Sequence, residues 1–556
     1  MTSAPPVPSR LRRSRYISWF GHMNAVYLFH DLYGYLMEMS PDIAAMIEAF
    51  DDGVDTDETI EYYRGKLGEA DPRQFVDILV GHQVLVDPKE DEIEGVWAFV
   101  PIKGKWNIWQ RRDDRMTIWT AWGDRPVQQV FLDSDETKIW DAFDGTKRLI
   151  EMRHHHDNAK LLGLVRRLVH HDVQALKLSV MPWSVYAKRP AMAPAYLGST
   201  MPYPDWKPGT PVPGQPELTA YHQGAIGDAD HQFDHQETTL SHLLRVPHPA
   251  LRGRTYGQAL IDVLLDRGWF PDGPVRVLEI GAGLGYVARD AIARLRERGR
   301  EVTYTIVELS PALETAQRAR VPDATWISGD ILTVTLPDAA FDLVLSNEMA
   351  GDLPARQLTR AEVGLAPDSG TVDRDKLRAL GGGAAVAADL GVHLDDAPEP
   401  FYLQMGAFEL IARIARALAP GGTGIVTEFG DRAAWPKLST HLDHPELSTH
   451  FNQLLDAARG SGLQAEIEFV IDLLDFDREQ RGLATTRSQF RALRALAADN
   501  GVELEKIGYT PDLLATALGD KLVLDSIGEL RWDKIEDRLM GLVPHEFKAL
   551  AVRRAR

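Results

Sequence analysis

Not one of the 556 residues is a cysteine. Disulfides, thiolate zinc sites and cysteine nucleophiles are thereby excluded, so any chemistry must rest on other groups. A chain without thiols suits a reducing compartment, and a cytoplasmic location is the expectation. Long apolar runs are missing as well. No stretch of about 18 apolar residues occurs, nor does one of secretory length follow the arginines of the first fifteen residues, so no membrane association is expected. The third absence is net positive charge. With 61 Lys and Arg against 81 Asp and Glu, the formal charge is −20. Nucleic acid is therefore not expected as a partner, because phosphate backbones call for a basic surface. A neutral or basic ligand suits the chain better, although charge of this size also simply keeps a large protein in solution.

What is present is an ordinary globular composition, 44% hydrophobic and 26% charged, sufficient for buried cores along the whole chain. The length exceeds the usual domain of roughly 100–200 residues, and roughly two to four domains are expected.

Two N-terminal segments match each other in pattern. The first contains Phe50-Asp51-Asp52-Gly53 and then Leu79-Val80-Gly81-His82-Gln83-Val84; the second contains Phe143-Asp144-Gly145 and then Leu168-Val169-His170-His171-Asp172-Val173. In each, an extended apolar stretch (27–39; 127–132) leads into a helix after Ser40 or Ser134. An Asp-Gly turn, two more helical stretches and a short closing strand (84–86; 175–178) follow. Each reads as a small winged-helix-like α+β module, over 1–90 and 91–184. Trp97, Trp106, Trp109, Trp119 and Trp122 crowd the stretch joining them, which suits a strand-rich core; an aromatic groove for a peptide is the other reading. His154-His155-His156-Asp157 reads as an exposed turn, since consecutive histidines point in different directions, and no metal site is expected.

Eight prolines between Pro190 and Pro216 mark a stiff linker over 185–218. Beyond it, over 219–556, apolar strand runs alternate with amphipathic helices, the pattern of an α/β domain with a parallel sheet. Strands are expected at 275–280, 303–308, 325–328, 341–346, 424–428 and 547–552. An insertion at about 361–400 reads either as a lid or as a mobile surface loop. Upstream, His222, Asp228, His231 and His235 form a polar cluster suited to a lid.

Val277-Leu278-Glu279-Ile280-Gly281-Ala282-Gly283-Leu284-Gly285 is a strand running into a glycine-rich turn, where the missing side chains let a ligand approach the backbone. By itself the turn also fits nicotinamide or flavin sites. The later strand ends are more telling. Glu308 closes the second strand, where a carboxylate can accept hydrogen bonds from ribose hydroxyls. Asp330 follows the third, suited to an adenine amino group. Asn347 and Glu348 end the fourth, and Leu418-Ala419-Pro420-Gly421-Gly422 precedes the fifth.

This succession resembles the class I methyltransferases. The resemblance implies a Rossmann-like domain with S-adenosyl-L-methionine as cofactor, contacted by Glu279, Gly281, Gly283, Gly285, Glu308, Leu309, Asp330, Ile331 and Asn347. Val307-Glu308-Leu309-Ser310-Pro311, Ser346-Asn347-Glu348-Met349-Ala350-Gly351-Asp352-Leu353-Pro354-Ala355-Arg356 and His441-Leu442-Asp443-His444 look more narrowly like the MidA-like family, which includes the mitochondrial complex I assembly methyltransferase that modifies a protein arginine. That resemblance spans roughly 220–556. It implies substrate contact by Asp352, His441 and His444. The family usually has an aromatic or large apolar residue and then Asp-Ala after the Asn-Glu pair; Ala350-Gly351-Asp352 departs from this and puts the substrate in question. The N-terminal modules resemble PqqD-like domains, which hold a leader peptide as an added strand. A winged helix used for DNA or dimerisation shows much the same pattern.

Methyl transfer needs a nucleophile aligned behind the methyl group, and a base where the nucleophile starts protonated. Glu348 suits that catalytic role and could pair with a guanidinium, with the Asn347 carbonyl orienting a nitrogen. The bland reading of Glu348 is a cap for the following helix. The function expected is methylation of a peptide or protein side chain, with arginine nitrogen a candidate and the N-terminal modules gripping a leader of a ribosomally made peptide. Two others stay open: a small-molecule N- or O-methyltransferase whose N-terminal domains form a homodimer, and a non-catalytic assembly factor.

Overall fold

The two N-terminal segments fold through matching successions of elements, the first with one extra short strand, Val54–Asp55, paired with its opening strand. In the computed structural model the first runs through strands Arg10–Arg13, Ile17–His22, Ala25–His30 and Leu36–Met39, helices Pro41–Glu48, Thr56–Tyr63 and Pro72–Gly81, and strand Leu85–Val86. The second repeats this with strands Val100–Lys103, Asn107–Arg112, Arg115–Thr120 and Gln128–Leu132, helices Ser134–Ala142, Leu149–Met152 and Asn158–Val169, and strand Leu176–Ser179. In both, the first strand pairs antiparallel with the last (Arg12↔Val86; Lys103↔Leu176) and the middle three form an antiparallel meander. The structure describes residues 7–179, 205–214, 239–534 and 547–556, apart from interruptions at 23, 69, 91, 105, 122–125, 270, 366–369, 442–443, 484–486, 506–508, 529 and 531. Trp122, the histidine cluster at 222–235 and most of the proline-rich linker lie outside these residues.

Local chemistry accounts for the helix starts. The Ser40 hydroxyl accepts from the Ile43 amide, with Pro41 set for the first turn. In the second copy Asp133, not Ser134, is the cap, forming a reciprocal capping box with Glu136. The apolar stretch 27–39 is two strands with a turn rather than one extended run. Of the tryptophans in the joining stretch, Trp106 and Trp119 are buried, and Trp97 and Trp109 are half-buried against the same core as Trp140. His154 to His156 form a turn. His170, His171 and Asp172, in an exposed turn, bring ligand-type atoms within 4.8 Å of one another, a grouping the sequence reading did not single out.

By contacts the chain divides into two units, one comprising 1–215, 486–504 and 515–530, the other 216–485, 505–514 and 531–556. This differs from the single domain expected over 219–556. Helix Arg487–Asp499 returns to the first unit, where the Trp119 indole and the Gln129 amide both donate to Asp499. Strand Ile527–Gly528 pairs with the edge of Asn107–Arg112. An amphipathic helix reads alike whichever core receives its apolar face, so sequence pattern could not assign this segment.

The second unit is built on a seven-strand path, with β1 (Val275–Ile280), β2 (Val302–Glu308), β3 (Thr325–Ser328), β4 (Phe341–Asn347), β5 (Leu418–Asp431), β6 (Gln464–Phe469) and β7 (Phe547–Arg553). Their order is β3-β2-β1-β4-β5-β7-β6, parallel through β5, with β7 antiparallel to both neighbours. This is the expected Rossmann-like α/β fold. Strand β6 escaped the sequence reading because its QAEIEF pattern at the sheet edge has one buried position. Helices α1 (Tyr256–Asp266), α2 (Tyr286–Glu297), α3 (Pro311–Arg320), α4 (Met405–Ala417) and α5 (Phe451–Gly460) flank the sheet, whose two faces carry separate apolar cores.

The described residues of the insertion form regular secondary structure packed on the sheet. An antiparallel pair, Arg356–Leu358 with Phe401–Leu403, closes its base, and it carries helices Arg374–Ala379 and Gly382–Asp389. Val363, Leu365, Val372, Leu377, Ala384, Ala387, Val392 and Leu394 are buried in the core on one sheet face. Its alanines and glycines serve close helix packing: a Cβ on Gly383 would lie 2.1 Å from the Met405 carbonyl oxygen.

Candidate functional site

The site forms at the C-terminal ends of the parallel strands, where open α/β sheets bind ligands. β1 is buried except at Arg276 and apolar except at Arg276 and Glu279, and it runs into Gly281, Gly283 and Gly285, all left-handed at φ 68°, 52° and 79°. A Cβ on Gly281 would come within 2.9 Å of the Met349 side chain, so the turn needs glycine for space as well as for backbone angle. Gly285 caps α2 without a side-chain acceptor, which leaves the amides of the first turn to a ligand or water.

Glu308 ends β2 with its side chain buried. One carboxylate oxygen accepts from the Ser310 amide at 2.9 Å and the other from the Gln317 amide at 2.6 Å. Burial pushes its pKa up to about 7, against these hydrogen bonds. Gln317 also donates to the Gly283 carbonyl at 2.8 Å, linking the acid to the glycine turn. Gln317 carries no signal in the sequence beyond its place in the helix that follows Glu308. The Glu308 carboxylate retains lone pairs for further donors. Together with the side-chain-free turn, this fits the two hydroxyls of a ribose.

Leu309 is half-buried and Ile331 is buried beside this region. Asp330 follows β3 half-buried, accepting from the Leu332 amide at 2.8 Å. Glu279 is the exception among the residues expected to meet the cofactor. It is 1% exposed and receives the Tyr304 hydroxyl at 2.7 Å, and burial pushes its pKa up to about 7. Its partner in the structure is the neighbouring strand.

At the end of β4, Asn347 is fixed by four contacts. Its carbonyl oxygen accepts from the Tyr256 and Thr427 hydroxyls, each at 2.8 Å, and its amide donates to Ser241 at 2.9 Å and to Glu348 at 3.4 Å. The two carbonyl lone pairs are thus taken, which corrects the expectation that this carbonyl orients a substrate nitrogen. Tyr256 and Thr427 were not foreseen; they come from α1 and β5, far away in sequence. Burial and the Glu348 charge push the Tyr256 phenol further up from its ordinary value, so it stays a donor. Glu348 itself sits at φ 52°, unusual for a residue with a side chain, and its amide donates to the Thr427 carbonyl at 2.9 Å.

Asp352 lies half-buried in the 3₁₀ turn Ala350–Asp352 that follows. Buried Glu428, a further residue not foreseen, accepts from the Gly351 amide at 2.9 Å. A Cβ on Gly351 would lie 2.7 Å from the Leu447 carbonyl oxygen, so the departure at Ala350-Gly351-Asp352 matches a close chain approach. That approach comes from the hairpin Leu438–His441 with His444–Leu447, in which His441 and His444 are backbone partners. Their side chains lie outside the described residues.

Residues 259–440 match a family model described as a putative S-adenosyl-L-methionine-dependent methyltransferase. This is a methyltransferase domain. The methyl donor that this family description names is S-adenosylmethionine. Two malonyl-[acyl-carrier protein] O-methyltransferases are similar to parts of the domain. The one from Serratia marcescens is 37% identical over 83 residues, 14% of this chain and 30% of the relative. The one from Halorhodospira halophila is 36% identical over 98 residues, 16% of this chain and 31% of the relative. The chain thus spans about a third of the length of these relatives. Among solved structures, a superfamily member from Burkholderia thailandensis bound to S-adenosyl-homocysteine aligns with 62% of this chain and 95% of its own, at 16% identity and a TM-score of 0.31. No described helix of the methyltransferase domain or of the first unit is long and apolar enough to cross a membrane.

Proposed function

We propose that the protein transfers the methyl group of S-adenosylmethionine to a side chain of a peptide or protein, with arginine nitrogen as the acceptor. The observation that carries this reading is Glu348: a carboxylate at the end of β4, on a backbone turned to φ 52° and tied to Thr427, with the Asn347 amide beside it. In this reading Glu308 takes the ribose hydroxyls, Asp330 faces the adenine, and the glycine turn admits the chain of the donor. S-adenosylmethionine supplies an electrophilic methyl group. Glu348 pairs with a guanidinium, orients its nitrogen and accepts the proton that leaves it. The duplicated N-terminal fold supports a role in gripping the peptide away from the reacting atom, as an added strand.

Full-length protein incubated with methyl-labelled donor and candidate peptides, followed by mass spectrometry, tests the reading. Label on an arginine nitrogen, abolished by Glu348→Gln, is the expected result; label on a carboxylate oxygen, or on small molecules alone, would overturn it. Label on oxygen is the outcome in line with the two malonyl-[acyl-carrier protein] O-methyltransferases to which parts of the domain are similar.

A further inference from the structure

We propose that segment 205–214 of the proline-rich linker is a built-in ligand of the first N-terminal module, holding an edge strand that otherwise takes up an extended peptide. The two modules share one hairpin register, from Ile17↔His30 to His22↔Ala25 in the first and from Asn107↔Thr120 to Arg112↔Arg115 in the second. Trp19 and Phe20 are therefore the counterparts of Trp109 and Gln110. In each module this opening strand stands at the end of its meander, and a later segment of the chain docks on it. Phe20 bridges Asp205 antiparallel, and the Trp206 amide donates to the Trp19 carbonyl at 3.0 Å. In the second module Gln110 pairs with Ile527 and Trp109 with Gly528, again antiparallel. Two unrelated dipeptides, Asp205-Trp206 and Ile527-Gly528, thus meet the same two positions in the same direction. What recurs with different sequences belongs to the edge: backbone bonds take up an extended chain whatever its residues, and the side chain beside them selects.

The two occupants are held differently. Ile527–Gly528 returns to the first unit together with helix Arg487–Asp499, whose Leu493, Leu496 and Ala497 are buried, and Arg112 on the receiving strand bonds Asn500 at 3.0 Å. Gly528 lies tight under Trp109, where a Cβ would come 2.0 Å from the indole nitrogen. Segment 205–214 is held chiefly through Trp206, which is 5% exposed and edge-on to Trp19 with ring centres 6.1 Å apart. The Trp206 indole donates back to the Pro211 carbonyl of its own segment at 3.2 Å. Prolines 208, 211 and 213 have no amide to add to the ladder, and the Pro213 carbonyl accepts from the Asn24 amide at 2.8 Å. Removing one indole therefore frees the first edge, whereas the second stays covered. The first copy is the one open to exchange, and its occupant describes the ligand: an extended, proline-rich peptide with a tryptophan opposite Trp19. A tethered occupant acts at an effective concentration that reaches millimolar, so it shuts out a free peptide of equal intrinsic affinity. The inference rests on the gripping role given above to the N-terminal fold, and not on the methyl acceptor.

A fluorescent peptide of residues 205–214, titrated onto the full chain and read by anisotropy, tests this. Trp206→Ala is expected to bind it roughly tenfold or more tightly than the parent does, because the internal competitor is weakened. The same peptide with alanine in place of its tryptophan should bind neither protein, which separates docking on Trp19 from unspecific uptake by a loosened chain. A peptide of residues 522–530 should bind neither the parent nor Gly528→Ala, since the second edge stays covered. Equal affinity of parent and Trp206→Ala for the tryptophan peptide, or no binding to either, would overturn the proposal, and a gain for the 522–530 peptide in Gly528→Ala would overturn its assignment to the first copy. A methylated peptide substrate whose KM stays the same in Trp206→Ala, while the 205–214 peptide binds that variant, would count against the gripping role alone and leave the edge assignment standing.

Discussion

Cofactor affinity should depend on pH through Glu308, and the size of the effect follows from its burial. The carboxyl is 5% exposed and its pKa stands at about 7, against an ordinary value of 4.5. Hydroxyl donors of a ribose favour the ionised form, because a carboxylate accepts twice where a carboxylic acid must donate. If only the ionised form binds, apparent affinity scales with its fraction in the free protein, about 9% at pH 6 and about 91% at pH 8. Binding of S-adenosylhomocysteine should therefore be about tenfold weaker at pH 6 than at pH 8. In Glu308→Gln the slope should flatten, with affinity at pH 8 reduced by the loss of charge-assisted bonds, roughly 1.5–3 kcal/mol. Stability runs the other way. Between pH 4.5 and about 7 the folded chain retains a proton that the unfolded chain has lost, so this group makes stability fall as pH rises through that window, by an amount on the order of 3 kcal/mol. Above pH 7, Glu308→Gln should thus melt higher than the parent in the absence of ligand while binding more weakly. Titration calorimetry at pH 6, 7 and 8, with thermal melts at the same values, checks both. A parent affinity constant across that range would refute the assignment of the ribose contact to Glu308; a slope surviving in the variant would point to Glu279, which is pushed to the same value.

Further expectations follow from the site and its surroundings. Glu348→Gln should lower the turnover number by roughly 10²–10⁴ with S-adenosylhomocysteine binding unchanged, measured by methyl-transfer assay beside calorimetry. Tyr256→Phe removes one of two donors to the Asn347 carbonyl and should cost about 1 kcal/mol of stability, read by denaturant unfolding. In the same variant turnover should fall more than cofactor affinity, since the amide is then held less firmly. Gly383→Ala places a methyl group 2.1 Å from the Met405 carbonyl oxygen and should destabilise the second unit by about 1–3 kcal/mol; an unchanged melting temperature would show that the helices can move apart.

Those elements of the second unit that rest on local pattern were legible in the sequence. An apolar β1 running into three glycines declares itself because the backbone turn has a strict residue requirement, and Glu308 and Asp330 follow at strand ends that periodicity can locate. The duplication was legible for the same reason, as two copies sharing turn residues and helix starts. Strand β6 was not, because an edge strand with one buried position lacks the alternation that marks a half-buried strand. The insertion misled because runs of Gly and Ala read as loop when the partner that lets helices approach is unseen.

The division of labour between chain and fold is clearest at Asn347. Sequence alone determined that an Asn-Glu pair ends the fourth strand, since strand and turn are set by neighbouring residues. Only the tertiary structure decided which way the amide faces, because its donors, Tyr256 and Thr427, come from positions 91 and 80 residues away. The same holds for Arg245, Arg289 and Arg320, which lie on three separate segments and become one cluster only when Tyr286 stands between them. Local propensity acts over a turn or two of chain, whereas hydrogen-bond direction and the summed field of several charges depend on distances that folding alone creates.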